Sequence, residues 1–141
     1  MFQHVLIVDP DPASARQLKE LLLQQGIGKV TIAGRTGVGV EELRTKHKPF
    51  FDFIITNIDQ PDVVGIDAVT KLREEGVSKR IPIVVTCEER DPVLLFLALK
   101  AGADEYVLKK DILSHKLLAI LTIAVERRNS RLSPFMRQRL R

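Results

Sequence analysis

The sequence predicts an α/β fold, a doubly wound five-stranded parallel sheet with strand order 2-1-3-4-5. Three observations carry this expectation. Five short apolar runs alternate with five stretches of helical character along 141 residues. The runs are apolar nearly throughout instead of alternating, the pattern of strands covered on both faces. Polar residues gather just after the runs, where sheets of this kind place their chemistry. Right-handed crossovers with an early strand reversal then select the order.

The first strand is expected at His4–Val8, closed by the turn-forming Asp-Pro-Asp-Pro. Ala13–Gln25 sets Ala15, Leu18, Leu21 and Leu22 at helical spacing, and Gly26 stops it. Lys29–Ala33 reads as the second strand and Val38–Lys46 as a short helix ended by Lys48-Pro49. Phe51–Thr56 is the third strand, and Ile66–Glu75 a helix stopped by Gly76. In the fourth strand, Ile81–Thr86, Pro82 lies near the start, where a missing donor is tolerated. Pro92–Ala101 is helical, Glu105–Leu108 is the fifth strand, and Ile112–Arg128 a long final helix. The strand ends thus carry Asp9 and Asp11, Asn57 and Asp59, Thr86 and Cys87, and Lys109.

Composition limits the function classes. Hydrophobic residues make up 45% and charged residues 28%, the balance of a globular domain. A single cysteine, Cys87, excludes an intramolecular disulfide and suits a reducing cytoplasm, the expected location. No apolar run approaches the ~20 residues of a membrane helix, and MFQHVLIVDP lacks the basic start of a signal peptide. The net charge of +4 is local: six arginines lie between residues 127 and 141. With them set aside, the 22 Lys and Arg fall to 16 against 18 Asp and Glu. The body therefore offers no basic stripe for nucleic acid, and nucleic-acid binding is not expected of it.

The segments VLIVDPDP, FDFIITNIDQPDVVGIDAV, IPIVVT and LKAGADEYVLKK together resemble the receiver domain of bacterial response regulators. The resemblance runs from about residue 3 to about residue 125 and implies a flavodoxin-like receiver fold. The implied organisation is a receiver domain at 1–126, then a basic tail or the start of a linker at 127–141. In that family an acidic pair after the first strand and an aspartate after the third hold magnesium, and the latter takes a phosphoryl group from a histidine kinase. A Thr or Ser after the fourth strand and a Lys after the fifth bind the phosphoryl oxygens. Asp9 matches the first acid, but Pro10 stands at the second and Asn57 at the phosphoacceptor. Thr86 and Lys109 match, and Tyr106 matches the aromatic that reports on the pocket. Lys110 replaces the usual proline after the lysine.

An amide at Asn57 is a far weaker nucleophile than a carboxylate, and proline supplies no side-chain oxygen to a metal that prefers anionic oxygen. Asp9 and Lys109 nearly balance without a cation, with Asp11 adding one negative charge if it turns inward. The expected pocket is Asp9, Pro10, Asp11, Asn57, Thr86 and Lys109: metal-free, without cofactor or enzymatic activity, and with Lys109 held by Asp9 or Asn57. Asp59 is not expected to act as a surrogate acceptor, because its family position contributes a backbone carbonyl. Cys87 is expected to pack, not to sense redox state. His4, His47 and His115 share no metal-ligand spacing.

Beyond the pocket, Val93–Gly102 is apolar on more than one side. Burying Leu95, Leu99 and Gly102, as the family register implies, leaves Val93, Phe96, Leu97 and Lys100 outward beside Tyr106. An apolar patch of that kind marks an interaction site, and the family uses the fourth helix, fifth strand and last helix for output and dimerisation. The expected function is that of a pseudo-receiver: a phosphorylation-independent interaction module in signal transduction, pairing with itself, a protein partner or a downstream output domain. Three alternatives stand beside it. They are a phosphorelay receiver with a non-standard acceptor, a flavodoxin-like cofactor binder and a nucleic-acid binder acting through the arginine tail. The second needs a Gly- or Ser/Thr-rich phosphate loop, which DPDPASA is not.

Overall fold

A computed structural model describes residues 2–45, 50–60, 65–76, 78–112 and 116–131. The strands are β1 (His4–Val8), β2 (Lys29–Ala33), β3 (Phe53–Asn57), β4 (Ile83–Cys87) and β5 (Glu105–Leu108). The helices are α1 (Pro12–Gln24), α2 (Thr36–Arg44), α3 (Gly65–Glu74), α4 (Pro92–Ala101), α5 (Lys109–Ile112) and α6 (Leu117–Arg131). All strand pairs are parallel, in the order β2-β1-β3-β4-β5. The predicted fold class and strand order are those observed.

Side-chain alternation along each strand divides the core into two layers. Val5, Ile7, Phe53, Ile55 and Val84 face one side, where Leu18, Leu22, Leu117 and Leu121 of α1 and α6 cover them. Leu6, Val8, Ile54, Ile83 and Val85 face the other, under Val40, Val69, Leu72 and Ala98 of α2, α3 and α4. At Gly39 of α2, an added Cβ would come within 2.9 Å of the Val8 side chain, so this helix rests almost directly on β1.

Several boundaries differ from expectation, each for a physical reason. The third strand starts at Phe53, because the Asp52 carboxylate accepts hydrogen bonds from the backbone N–H groups of Gln3 (2.7 Å) and His4 (3.4 Å). The fourth starts at Ile83: Pro82 has no N–H, and the Ile81 carbonyl accepts from Arg73. Helix α2 begins at Thr36, whose N–H and hydroxyl both reach Gln60 Oε1. In place of the expected helix Ile112–Arg128 the structure describes α5 (Lys109–Ile112) and α6 (Leu117–Arg131), with residues 113–115 outside the described residues. Arg127, Arg128 and Arg131 belong to α6, and residues 132–141 lie outside the described residues.

On α4 the expected inner stripe is displaced. Ala98 is the fully buried residue, Leu95 and Leu99 are only half-buried, and Leu94 packs on the core beside them. Gly102 is not part of that stripe but the C-cap, at φ 123°, with Arg73 packed against it. Val93 (69% exposed), Phe96 (61%) and Leu97 (37%) do face outward. Asp91 caps the helix start, accepting from Val93 N and Leu94 N, and Pro92 occupies the first turn. Asp11-Pro12 does the same for α1.

Beneath α4 and α6 lies a charged cluster. Asp104, fully buried, accepts from Ile83 N (2.9 Å) and from Arg73 Nη2 (2.8 Å). Arg128 Nε lies 3.1 Å from its other oxygen as an ion pair, without a hydrogen-bonding geometry, and Arg131 Nη1 lies 3.5 Å from it. Arg73 also donates to the carbonyls of Ser78 (2.6 Å) and Gly102 (2.7 Å). Burial lowers the Arg73 pKa to about 10, helped by the Arg128 charge and opposed by Asp104, so the guanidinium stays protonated at neutral pH. Burial likewise pushes the Asp104 carboxyl up, against the pull of Ile83 N–H and the arginines. Removing one partner from such a cluster strands the rest without solvent. Asp104→Ala is expected to destabilise the domain by about 3–5 kcal/mol, read as a lowered urea midpoint with an unchanged slope.

Candidate functional site

The site lies beyond the carboxyl ends of β1, β3, β4 and β5, where parallel strands bring sequence-distant residues within reach of one another. Asp9 ends β1 and is 6% exposed; Thr86 and Asn57 are paired in register at the ends of β4 and β3 and are buried. Lys109 follows β5 and reaches back across the sheet. Its Nζ lies 3.1 Å from Asp9 Oδ2 and 3.4 Å from Glu88 Oε1. Desolvation alone would lower the Lys109 pKa. The hydrogen bonds and charges of Asp9 and Glu88 outweigh it and hold the ammonium above its usual value.

Two further side-chain oxygens of the site are committed to backbone. Asp9 Oδ1 accepts from Asp11 N at 2.9 Å, a local turn that also places Pro10. Asn57 Oδ1 accepts from Asp59 N at 2.6 Å, so the residue at the acceptor position folds onto its own loop. Asp59 is exposed and accepts from Glu88 N at 3.2 Å, tying the loops after β3 and β4 together. Between Asp9, Ser14, Thr86 and Lys109 a crevice of ≈ 10 Å³ remains, about the room of one water molecule.

The structure brings Asp9, Thr86, Asn57 and Lys109 to one end of the sheet, and of the two expected partners of Lys109 it is Asp9 that holds it. Asp11 does not turn inward: it is exposed, and its carboxylate caps α1. Lys109 is held by Asp9 together with Glu88, while the Asn57 oxygen bonds backbone instead. Glu88 and Gln60 were missed by sequence reasoning. Gln60 is buried, donates to Thr56 Oγ1 and the Asn57 carbonyl, and accepts from Thr36, fixing the loop beneath the pocket. An amide three residues past a strand end is an ordinary loop residue by type, so no sequence signal set it apart.

A magnesium ion requires several anionic or carbonyl oxygens converging on it, usually including one or two carboxylates. Here Pro10 offers none from its side chain, the single buried carboxylate has one oxygen on Lys109 and the other on Asp11 N, and the Asn57 oxygen is taken. This donor set does not fit the ion. Among the described residues, no three His, Cys, Asp or Glu side chains cluster as metal ligands.

Tyr106 is half-buried and packs with Leu94 and Leu95 of α4 over Cys87. The Cys87 thiol is buried and free; burial, then the charges of Asp59, Glu88 and Asp91, pushes its pKa up and disfavours the thiolate. Lys100 extends over the Phe96 ring, 5.8 Å from its centroid. His4 is buried, with Nε2 2.7 Å from Thr31 Oγ1 and its ring against Phe51. His47 and His115 lie outside the described residues. No helix among the described residues is long and apolar enough to cross a membrane.

Comparison with known proteins follows the same geometry. A family model described as the response regulator receiver domain matches residues 5–122. The chain is 32% identical over 109 residues to the DNA-binding response regulator MtrA of Mycolicibacterium smegmatis, covering 77% of this chain and 45% of that protein. It is 33% identical over 105 residues to the transcriptional regulatory protein KdpE of Mycobacterium tuberculosis, covering 74% and 43%. The chain thus spans less than half the length of these relatives. A CheY-like receiver domain protein from Methanospirillum hungatei superimposes with a TM-score of 0.74 at 23% identity, over 92% of this chain and 99% of that one.

The Asp9–Lys109 pair has a pH signature. A lysine whose folded-state pKa is raised contributes stability that is complete below its unfolded value, ~10.4, and is lost as pH rises through the folded value. Lys109→Met is expected to cost roughly 1.5–3 kcal/mol at neutral pH, the range for a hydrogen bond to a charged group. Denaturation midpoints measured across an alkaline series should show that gap narrowing as the wild-type lysine deprotonates; a constant gap would mean the ion pair contributes nothing.

Proposed function

The chain belongs to the receiver-domain family of response regulators, the modules of two-component signalling, and from that premise we propose that it is a pseudo-receiver whose interactions do not depend on phosphorylation. The observation that carries this reading is the closure of the pocket by its own residues. Lys109, which would otherwise meet a phosphoryl oxygen, is neutralised by Asp9 and Glu88. The Asn57 side chain at the acceptor position is a neutral amide engaged with Asp59 N. No carboxylate is left there to attack phosphorus. The reading includes no magnesium, no cofactor and no enzymatic step.

Incubation with acetyl phosphate and magnesium followed by intact-mass measurement tests it. No mass gain is expected, and a stoichiometric phosphoryl adduct would return the chain to the ordinary phosphorelay class. Pro10→Asp with Asn57→Asp restores two carboxylates and should recover weak magnesium binding, because Thr86 and Lys109 already stand in place.

A second element of the proposal is a self-pairing surface. Val93, Phe96 and Leu97 are exposed on α4. Two such side chains per subunit, each contributing roughly 1.5–3 kcal/mol on burial before association entropy, support a two-fold dimer in the micromolar range. A protein partner or a downstream output domain, as MtrA's description as a DNA-binding regulator suggests, would use the same face. Phe96→Glu should leave the monomer folded and abolish pairing in sedimentation velocity across a concentration series. An unmodified chain that stays monomeric at all concentrations would remove self-pairing from the proposal.

A further inference from the structure

At the opposite end of the sheet from the pocket lies a larger concavity. The chain segments entering β1, β3 and β4 and the last turns of α6 surround a groove of ≈ 690 Å³. Phe2, Phe50, Phe51, Ile81, Pro82 and Val125 give it an apolar lining, with Asp52 and Arg80 at its rim. Phe50 is 66% exposed there, second only to Val93 among the large hydrophobic side chains of the described residues. Phe51 is held by the His4 ring and Phe2 stands edge-on to Phe53, 5.1 Å between centroids, so the aromatic floor is preformed.

We propose that this groove is the seat of the chain's own segment 132–141, with Phe135 and Met136 entering between the phenylalanines. Three observations converge on that occupant. Helix α6 brings the chain along the groove: Val125 and Asn129 line it, and the described part of the helix runs to Arg131. Pro134 cannot continue an α-helix and disfavours helical backbone at Ser133, so the sequence itself favours a change of chain direction just beyond Asn129 and Arg131. From Arg131 to Phe135 an extended chain reaches ~13 Å, enough to cross a groove that Asn129 already borders. The segment carries Leu132, Phe135, Met136 and Leu140 among its ten residues, an apolar content that a purely solvated basic arm would not need. A methionine thioether makes favourable contacts at aromatic ring edges, which this floor presents. The inference is independent of the pocket reading, since it concerns the other end of the sheet.

The sequence contains two methionines, Met1 and Met136, so methyl-labelled methionine gives a two-line NMR spectrum of the full chain. The Met136 methyl is expected upfield of its free-peptide position, with nuclear Overhauser contacts to the Phe50 and Phe51 rings. Phe50→Asp, at an exposed position, should abolish both signals while the amide spectrum of the sheet persists. A chain ending after Arg131 should keep its fold and shift the Phe50 ring resonances relative to the full chain. A free-peptide Met136 shift without ring contacts overturns the proposal. Contacts that survive Phe50→Asp overturn it as well. So do contacts seen only between differently labelled chains, which would give the groove to a second copy.

Discussion

The carboxylate of Asp104 is withdrawn from water completely, and its two oxygens meet Ile83 N, Arg73, Arg128 and Arg131. Those partners come from β4, α3 and α6, so a single residue before β5 joins three elements that share little sequence. Burying an ionised group is unfavourable by several kcal/mol unless charge and hydrogen bonds replace the lost water. The replacement here depends on α3 and α6 both being in place, so the arrangement is all-or-none. Gly102 belongs to the same constraint: its positive φ turns the chain out of α4 and lets the Arg73 side chain pass against it.

Much of the fold was legible because a parallel sheet covered on both faces leaves a coarse, repetitive trace. His4–Val8, Lys29–Ala33 and Glu105–Leu108 could be read from apolar runs alone, and the order followed from handedness. Asp11-Pro12 carried a helix-start signal that a turn reading of Asp-Pro-Asp-Pro obscured, whereas the helix after Asp91 was placed at its observed start, Pro92. Helix α4 was misread for the opposite reason. Eight of its ten residues are large or small apolar types, so no polar face marks the register, and the small Ala98 takes the innermost place. Asp104 and its arginines could not be read at all. Residues 31 and 24 positions apart have no local pattern, and charged residues by type belong to the surface.

The pocket shows how losing charge can leave a fold intact. Side chains at strand ends are clustered by topology whether or not they do chemistry. With Pro10 and Asn57 uncharged, the strand ends carry little negative charge to repel itself without a cation. Lys109 was then left needing only one buried partner, and Asp9 provides it, with Glu88 at the rim. The Asn57 amide satisfies the loop N–H of Asp59, and Gln60 satisfies the strand end beneath it.

These two charged clusters bracket one short strand. Asp104 immediately precedes β5 and Lys109 immediately follows it, with only Glu105–Leu108 between. At one end the strand is anchored to α3 and α6 through arginines; at the other it is anchored to β1 through Asp9. Tyr106, within the strand, lines a small pocket together with Leu94 and Leu95 of α4. A receiver that switches must let its pocket alter this strand and the helix beside it, which requires a lysine free to change partners when a phosphoryl group arrives. Under the proposed function Lys109 has its partner built into the chain. Both ends of β5 are then fixed by interactions internal to the fold, and α4 is held against it in one arrangement. The exposed Val93, Phe96 and Leu97 are therefore presented at all times, a geometry suited to an interaction that depends on the partner's presence and concentration instead of on a phosphoryl signal.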